Sequence, residues 1–187
     1  LRNLTQHENY GDDREVPGID GTTRLSAHLK FGTTSPREFY WSVRKELGKD
    51  HGLITEIYWR DFYLHVMYHF PEVLGEPFND QFDSLDWRHD EDDFRRWKEG
   101  KTGFPIVDAG MRELQETGWM HNRVRMIVAS FLTKDLQIDW RWGEKHFAQN
   151  LVDYDPASNN GGWQWAASTG ADAQPYFRIF NPWTQGK

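Results

Sequence analysis

The chain has 187 residues, no cysteine, 29 acidic against 22 basic side chains and a net charge of −7. That length suits one ordinary domain, the lack of thiols excludes disulfides, thiolate nucleophiles and Cys-based metal sites while fitting a reducing compartment, and no apolar run approaches the about 18 residues that cross a membrane. The acidic balance argues at face value against a nucleic-acid partner, yet residues 94–187 carry 12 basic and 10 acidic side chains against 10 and 19 in residues 1–93, so the second half can hold a basic patch.

Residues 1–21 are polar and acidic, with Gly11, Pro17 and Gly18, and read as an extended approach segment. The run Gly21-Thr22-Thr23-Arg24-Leu25-Ser26 precedes a helix that ends near Phe31. Ser35, Pro36 and Glu38 supply a cap, a first-turn proline and a capping-box acid, and Gly48 a stop after Leu47, which predicts a helix between them. Residues 53–69, with Ile54, Ile57, Tyr58, Phe62, Leu64, Met67 and Tyr68, predict a long helix buried on more than one side and ended by Pro71. Residues 71–88 read as loop. Shorter helices are predicted at 91–99, 105–117, 121–136 and 143–152, the first opening on the acidic run Asp90–Asp93, a solvated start favoured by the helix dipole. No alternating strand pattern competes, so the fold class is all-α. Leu1 in place of Met, and the run FRIFNPWTQGK reaching Lys187, lead us to expect a piece of a longer protein.

Four stretches hold side chains that could carry chemistry. The hydroxyls, arginine and glycine of residues 21–26 suit either helix capping or a phosphate, which backbone N–H groups at a helix start can also hold. On the long helix Glu56, Trp59 and Arg60 share a face at i, i+3 and i+4; they form either an internal Glu56–Arg60 pair with Trp59 as packing or the wall of a cavity. In Trp119–Met126, helical spacing puts Asn122, Arg125 and Met126 on one side and Arg123 elsewhere, with His121 reading as a capping or internally satisfied histidine. The fourth stretch is Asp153–Gly170, DYDPASNNGGWQWAASTG. It sets two carboxylates and two asparagines beside two tryptophans, a mixture that suits a planar ligand with hydrogen-bonding edges. Trp87, Trp97, Trp140, Trp142, Trp163 and Trp165 are equal candidates for stacking or redox roles on spacing alone.

Six motifs give these stretches an order: GTTRLS at 21–26, YWRDFY at 58–63, KTGFPIVDAGMREL at 101–114, WMHNRVRMIVASFLTKDL at 119–136, DYDPASNNGGWQWAASTG at 153–170 and FRIFNPWTQGK at 177–187. Together they resemble the flavin-binding helical domain of the DNA photolyase and cryptochrome superfamily, from Tyr10 to the end of the chain. The resemblance implies an all-α portion holding a U-shaped FAD in a cavity that opens on the DNA-binding face. It also implies an α/β domain before this chain, which can carry an antenna chromophore, and further helices after it.

Residue by residue, the resemblance places Thr22, Thr23, Arg24, Leu25 and Ser26 at the FAD pyrophosphate and Tyr10 at an upstream flavin contact. Asp153, Tyr154 and Asp155 fall at the isoalloxazine and ribityl groups, Arg125 pairs with Asp153, Arg60 lies on the cofactor side, and Asn159 sits next to flavin N5. Glu56, Trp59, Asn122, Met126 and Trp165 fall where a flipped-out cyclobutane pyrimidine dimer is met, and Arg123, Arg178 and Trp183 near DNA. Trp163, Trp140 and Trp87 match an electron-transfer chain running from the flavin to the surface. Leu53 departs from the pattern, since some relatives have a tryptophan there. The implied activity is that of a cyclobutane dimer photolyase, in which light-excited reduced FAD passes an electron to the dimer. The alternative is a cryptochrome-type photoreceptor without repair. No metal site or membrane contact is expected, and a cytoplasmic monomer that meets UV-damaged DNA is.

Overall fold

The computed structural model describes residues 1 and 3–186. Among the described residues the regular structure is helical, with one isolated β-bridge between Arg88 and Ile138, and no helix is long and apolar enough to cross a membrane. The all-α expectation holds.

The N-terminal segment departs from expectation. Residues 1–21 contain a 3₁₀ turn over Leu4–His7 and a short helix, α1, over Tyr10–Asp13. Leu4 and Tyr10 are the reason: both are buried with Phe39, Val43, Leu53, Ile54 and Ile57 in a small core. Polar composition hid two apolar anchors.

Helix α2 spans Ser26–Lys30 and α3 spans Pro36–Glu46. Helix α3 starts where its local chemistry says: Ser35 Oγ accepts from the N–H groups of Arg37 and Glu38 at 3.1 and 3.3 Å, satisfying donors that the first turn leaves open. It then buries Phe39 and Val43.

Helix α4, Gly52–His69, has the predicted length but not the predicted burial. Only Leu53, Ile54 and Ile57 are buried, whereas Tyr58 and Tyr68 are 58% and 81% exposed. The aromatic content that suggested burial on several sides lies at the surface.

Residues 71–88 are irregular apart from 3₁₀ turns at Pro71–Leu74 and Asp80–Phe82. Helices α5 (Glu91–Lys98), α6 (Pro105–Thr117) and α7 (Asn122–Ser130, continued by a π-helical turn to Asp135) match their expected ranges. Helix α8 begins at Trp140, three residues before expectation, because Asp139 accepts from Arg141 N–H at 2.9 Å and caps it.

Helix α9, Pro156–Ala167, runs through Asn159-Asn160-Gly161-Gly162, a string with turn composition. A Cβ on Gly161 would overlap the Tyr63 ring, with Cγ at 2.8 Å, so this glycine lets α9 lie close on α4. A four-residue helix, α10, at Pro182–Gln185 closes the described chain.

The main core gathers Trp97, Met111, Ile127, Leu132, Trp140, Phe147 and Trp163 from α5 to α9. Helix α9 packs on α4, α7 and α8 at once. The stretches singled out by motif on α4 and α7 are therefore brought to the helix that carries the third.

Candidate functional site

The chain leading into α9 is fixed by an ion pair. Asp153, with its side chain only 2% exposed, accepts from Arg125 Nη2 through both oxygens, at 2.8 and 3.1 Å. Arg125 Nε is held by the Met120 carbonyl at 2.8 Å. A buried carboxylate without a partner is costly, and this one has a guanidinium locked in place to meet it. Asp155, two residues on, caps α9 by accepting from Ser158 N–H at 3.0 Å, so part of its role is that of a helix start. Tyr154 lies between them with Lys30 over its ring at 5.9 Å, which brings the end of α2 to this segment.

The strip before α2 offers donors. No backbone hydrogen bond among the described residues uses the N–H groups of Thr22 to Ser26. Arg24 takes a left-handed φ of 49° and Leu25 follows at φ −85°, the kind of turn in which successive N–H groups can cradle an anion. The Arg24 side chain points elsewhere: it pairs with Asp20 at 3.1 Å and stacks on Trp119 at 4.6 Å. Its contribution to an anion is main-chain.

Near α4 the expected Glu56–Arg60 pair does not form. Glu56 is bound by Arg14, a residue the motifs did not single out, and Arg60 approaches Asp61 at 3.8 Å. Arg14 also lies 5.3 Å from the Tyr10 ring centre. Burial, then the charge of Glu56, push the Tyr10 hydroxyl up to about 12, against the pull of Arg14, so this phenol stays protonated near neutral pH. Arg123 pairs with Glu15, and its pKa is lowered by burial first and then by Arg14 and Arg178. Three guanidinium groups from the N-terminal segment, α7 and the chain after α9 thus share one region. The sequence holds no local signal for Arg14, because its partner lies 42 positions away.

On α7, Asn122 donates weakly to Met126 Sδ at 3.7 Å, placing both on the same face. His121 caps the helix, Nδ1 accepting from Arg123 N–H at 3.2 Å, but its Nε2 is buried without a partner. Burial and then Arg125, Arg14 and Arg24 lower its pKa. The capping alternative of the expectation holds, and the other ring nitrogen is left without a partner. On α9, Asn159 is half-buried and donates to Glu144 of α8, a residue the sequence reading also missed. Trp59 is 42% exposed and packs edge-on to Phe62, while Trp165 tilts against Phe180, whose ring Arg178 covers at 5.5 Å. Trp183 is 58% exposed beside Phe104.

Trp163 and Trp140 are buried and Trp87 packs half-buried on the same core. Within ring-contact range Trp163 meets Phe147 at 5.0 Å and Trp97 at 6.0 Å. Trp97 is fully buried, its Nε1 donating to the Val128 carbonyl at 3.0 Å. A hollow of about 390 Å³ between α5 and α8, lined by Phe94, Lys98, Arg141, Trp142, Lys145 and His146 among others, belongs to none of these groups. Its cations are largely engaged: Arg141 pairs with Asp139 and Glu76, and Lys98 covers Phe94.

The arrangement suits a large, flat, anionic ligand. Unused N–H groups in a left-handed turn fit a pyrophosphate, and Asp153, Asp155 and Asn159 offer acceptors to a ring's polar edge. The orphaned His121 Nε2 marks a buried polar spot close to Arg125 that the protein does not fill by itself. These donors and acceptors fit FAD.

Comparison with known proteins agrees. Residues 53–187 match the family model described as FAD binding domain of DNA photolyase. A deoxyribodipyrimidine photo-lyase of Alkalihalophilus pseudofirmus is 54% identical over 95% of this chain and 38% of its own length. A bacterial class III photolyase structure from Agrobacterium tumefaciens superposes with a TM-score of 0.91 at 47% identity, over 100% of this chain and 41% of that one. A cryptochrome structure from Synechocystis sp. PCC6803 gives a TM-score of 0.84 at 38% identity, again over 100% of this chain and 41% of that one. The chain thus spans about two fifths of these relatives. With the match covering the helices from α4 onward, the chain belongs to the family of the FAD-binding domain of DNA photolyase.

Proposed function

We infer that this chain forms the cofactor-binding and lesion-binding face of an enzyme that reverses cyclobutane pyrimidine dimers in UV-damaged DNA with light. One observation carries the reading: α9, which bears Asn159, Trp163 and Trp165, packs on both α4, which bears Glu56 and Trp59, and α7, which bears Asn122 and Met126. Cofactor-side and lesion-side residues then share one helix junction.

Reduced FAD, when bound, supplies the electron that opens the cyclobutane ring and receives it back, so repair has no net redox change. The chain's own residues bind and orient. The N–H groups of Thr22 to Ser26 hold the pyrophosphate, Asp153 stays fixed by Arg125 for the ring's polar edge, and Tyr10, Arg60, Tyr154 and Asp155 complete the cofactor side. Photolyases as a class take their target out of the stack. Trp59 and Trp165 offer faces for the extruded bases, each stacked base being worth about 1–3 kcal/mol. Asn122 and Met126 offer a polar and a soft apolar edge, and Glu56, ion-paired with Arg14, a carboxylate acceptor for a pyrimidine's hydrogen-bonding edge.

Arg14 keeps Glu56 aimed and its charge balanced until the lesion arrives. Arg123 and Arg178, with Trp183, meet the flanking backbone, which gives the net-basic second half of the chain a purpose. Trp163, Trp140 and Trp87 provide indoles for reloading the cofactor with electrons.

The test is irradiation of the full-length protein, with its flavin reduced, in the presence of dimer-containing DNA and, in parallel, DNA with (6-4) lesions. Reversal of the dimers alone supports the reading. Retention of FAD with no reversal of either lesion contradicts it and favours a light-signalling protein on the same fold.

A further inference from the structure

Helix α9 ends at Ala167, and a helix leaves the carbonyls of its last turn without partners inside it. Here each finds one. Gln164 accepts from Thr169 N–H at 2.9 Å, Trp165 from Ser168 and Gln174 N–H at 3.3 and 3.4 Å, and Ala166 from Gln174 Nε2 at 3.0 Å. The final carbonyl, of Ala167, accepts from Lys134 Nζ at 3.2 Å, and the same ammonium donates to Ser168 Oγ at 2.7 Å. Ser168 takes a left-handed φ of 68°, a conformation that glycine adopts with least strain, and serine adds the hydroxyl that Lys134 holds. Lys134 reaches this end from the π-helical turn that prolongs α7, in which Leu136 N–H donates to the Phe131 carbonyl at 3.0 Å. A π turn takes one residue more than an α turn and so re-aims the side chains on it. Burial lowers the Lys134 pKa, and an ammonium short of water depends on the acceptors it holds.

We propose that Lys134 is a positioning residue: from its π-helical turn it clamps the C-terminal end of α9 and so fixes Trp165, in that last turn, for stacking on an extruded base. The proposal rests on the reading that Trp165 meets the lesion. The Trp165 ring leans on Phe180, 6.3 Å away between centres, and the turn beneath it is tied to Lys134 on one side and Gln174 on the other. An indole already held in place loses less freedom when a base stacks on it, so the clamp acts on affinity for the lesion. It leaves the sequence-independent attraction to phosphates untouched, because the ammonium is spent on α9.

The measurement is equilibrium binding in the dark, where repair does not proceed, of the FAD-loaded full-length protein to a duplex containing one cyclobutane dimer and to the same duplex undamaged. Lys134→Met keeps an unbranched side chain and removes the donors. The variant is expected to bind the dimer duplex about tenfold more weakly, on the scale of one lost base-stacking contact, and the undamaged duplex as before. In a Trp165→Ala background Lys134→Met should cost nothing further, since the two residues then act as one unit.

Unchanged affinity for the dimer duplex overturns the proposal, as does a loss that persists in the Trp165→Ala background. An equal loss on both duplexes also overturns it and makes Lys134 a phosphate contact. If Trp165→Ala alone leaves dimer binding unchanged, the placement of Trp165 at the lesion is itself wrong, and the clamp falls with it. Ser168→Gly replaces Lys134→Met in each comparison if the Met variant does not retain FAD, because glycine keeps the left-handed turn while removing one of the two groups that Lys134 holds.

Discussion

A single methyl group at Gly143 tests the packing that holds Trp163 in place. Gly143 is buried inside α8, and a Cβ built there would overlap the Trp163 ring and come within 2.7 Å of a Leu132 methyl carbon. Trp163 is 2% exposed and already bears on Phe147 and Trp97, so the indole has nowhere to retreat. Two opposing effects set the sign. Replacing an interior helix glycine by alanine gains about 1 kcal/mol from backbone propensity, whereas forcing an extra methyl into a close-packed core costs about 1–3 kcal/mol.

The net expectation for Gly143→Ala is a loss of up to about 2 kcal/mol. Gly162→Ala is the control, since it is also inside a helix but has nothing within 4 Å of its Cβ position, and it should gain stability. Urea denaturation of the full-length protein, followed by tryptophan fluorescence, measures both. A Gly143→Ala variant as stable as Gly162→Ala would refute the packing argument. Because the same methyl presses on the Trp163 indole proposed to lie in the electron path, photoreduction of oxidised flavin should also slow in Gly143→Ala.

Asp153→Ala leaves the Arg125 guanidinium without its buried partner and should cost about 3 kcal/mol, with flavin absorbance lost from the purified protein; retained flavin at unchanged stability would contradict the role of the pair. His146, pushed down from 6.5 to about 4 by burial and then by Lys98, gives a pH dependence of known sign. Its unfolded form binds a proton below about pH 6.5 and its folded form only near pH 4, so stability is complete above pH 6.5 and declines as pH falls through that window. The ceiling is about 3 kcal/mol, reduced to about half for a partly exposed ring, and denaturation at pH 7 and pH 4.5 should show a smaller decline in His146→Gln. Glu56→Gln should lower the repair yield per absorbed photon with FAD retained; an unchanged yield removes Glu56 from the lesion site.

Local chemistry was legible where it was self-contained. Helix α3 could be placed from Ser35, Pro36 and Glu38 because cap and helix lie in adjacent residues. Helix α9 was obscured for the opposite reason: its Asn-Asn-Gly-Gly centre has turn composition, and only Tyr63 of α4, pressed against Gly161, explains why a glycine there serves a helix. The surface aromatics of α4 misled in a similar way, since spacing does not reveal which faces find a partner. The carboxylate and asparagine cluster around α9 suggested a flat ligand from residue types alone, and motif resemblance narrowed it to FAD. Arg14 and Glu144 carried no such signal, because each is an ordinary charged residue whose meaning comes from a partner distant in sequence, Glu56 and Asn159 respectively.

The most direct test of the whole account is a crystal structure of the full-length protein with FAD bound. The expected result is the pyrophosphate on the main-chain N–H groups between Thr22 and Ser26, and the flavin ring within hydrogen-bond distance of Asp153 and of Asn159 Oδ1. A flavin seated elsewhere, for instance in the hollow between α5 and α8, or an Asn159 amide turned with Nδ2 toward the ring, would contradict it.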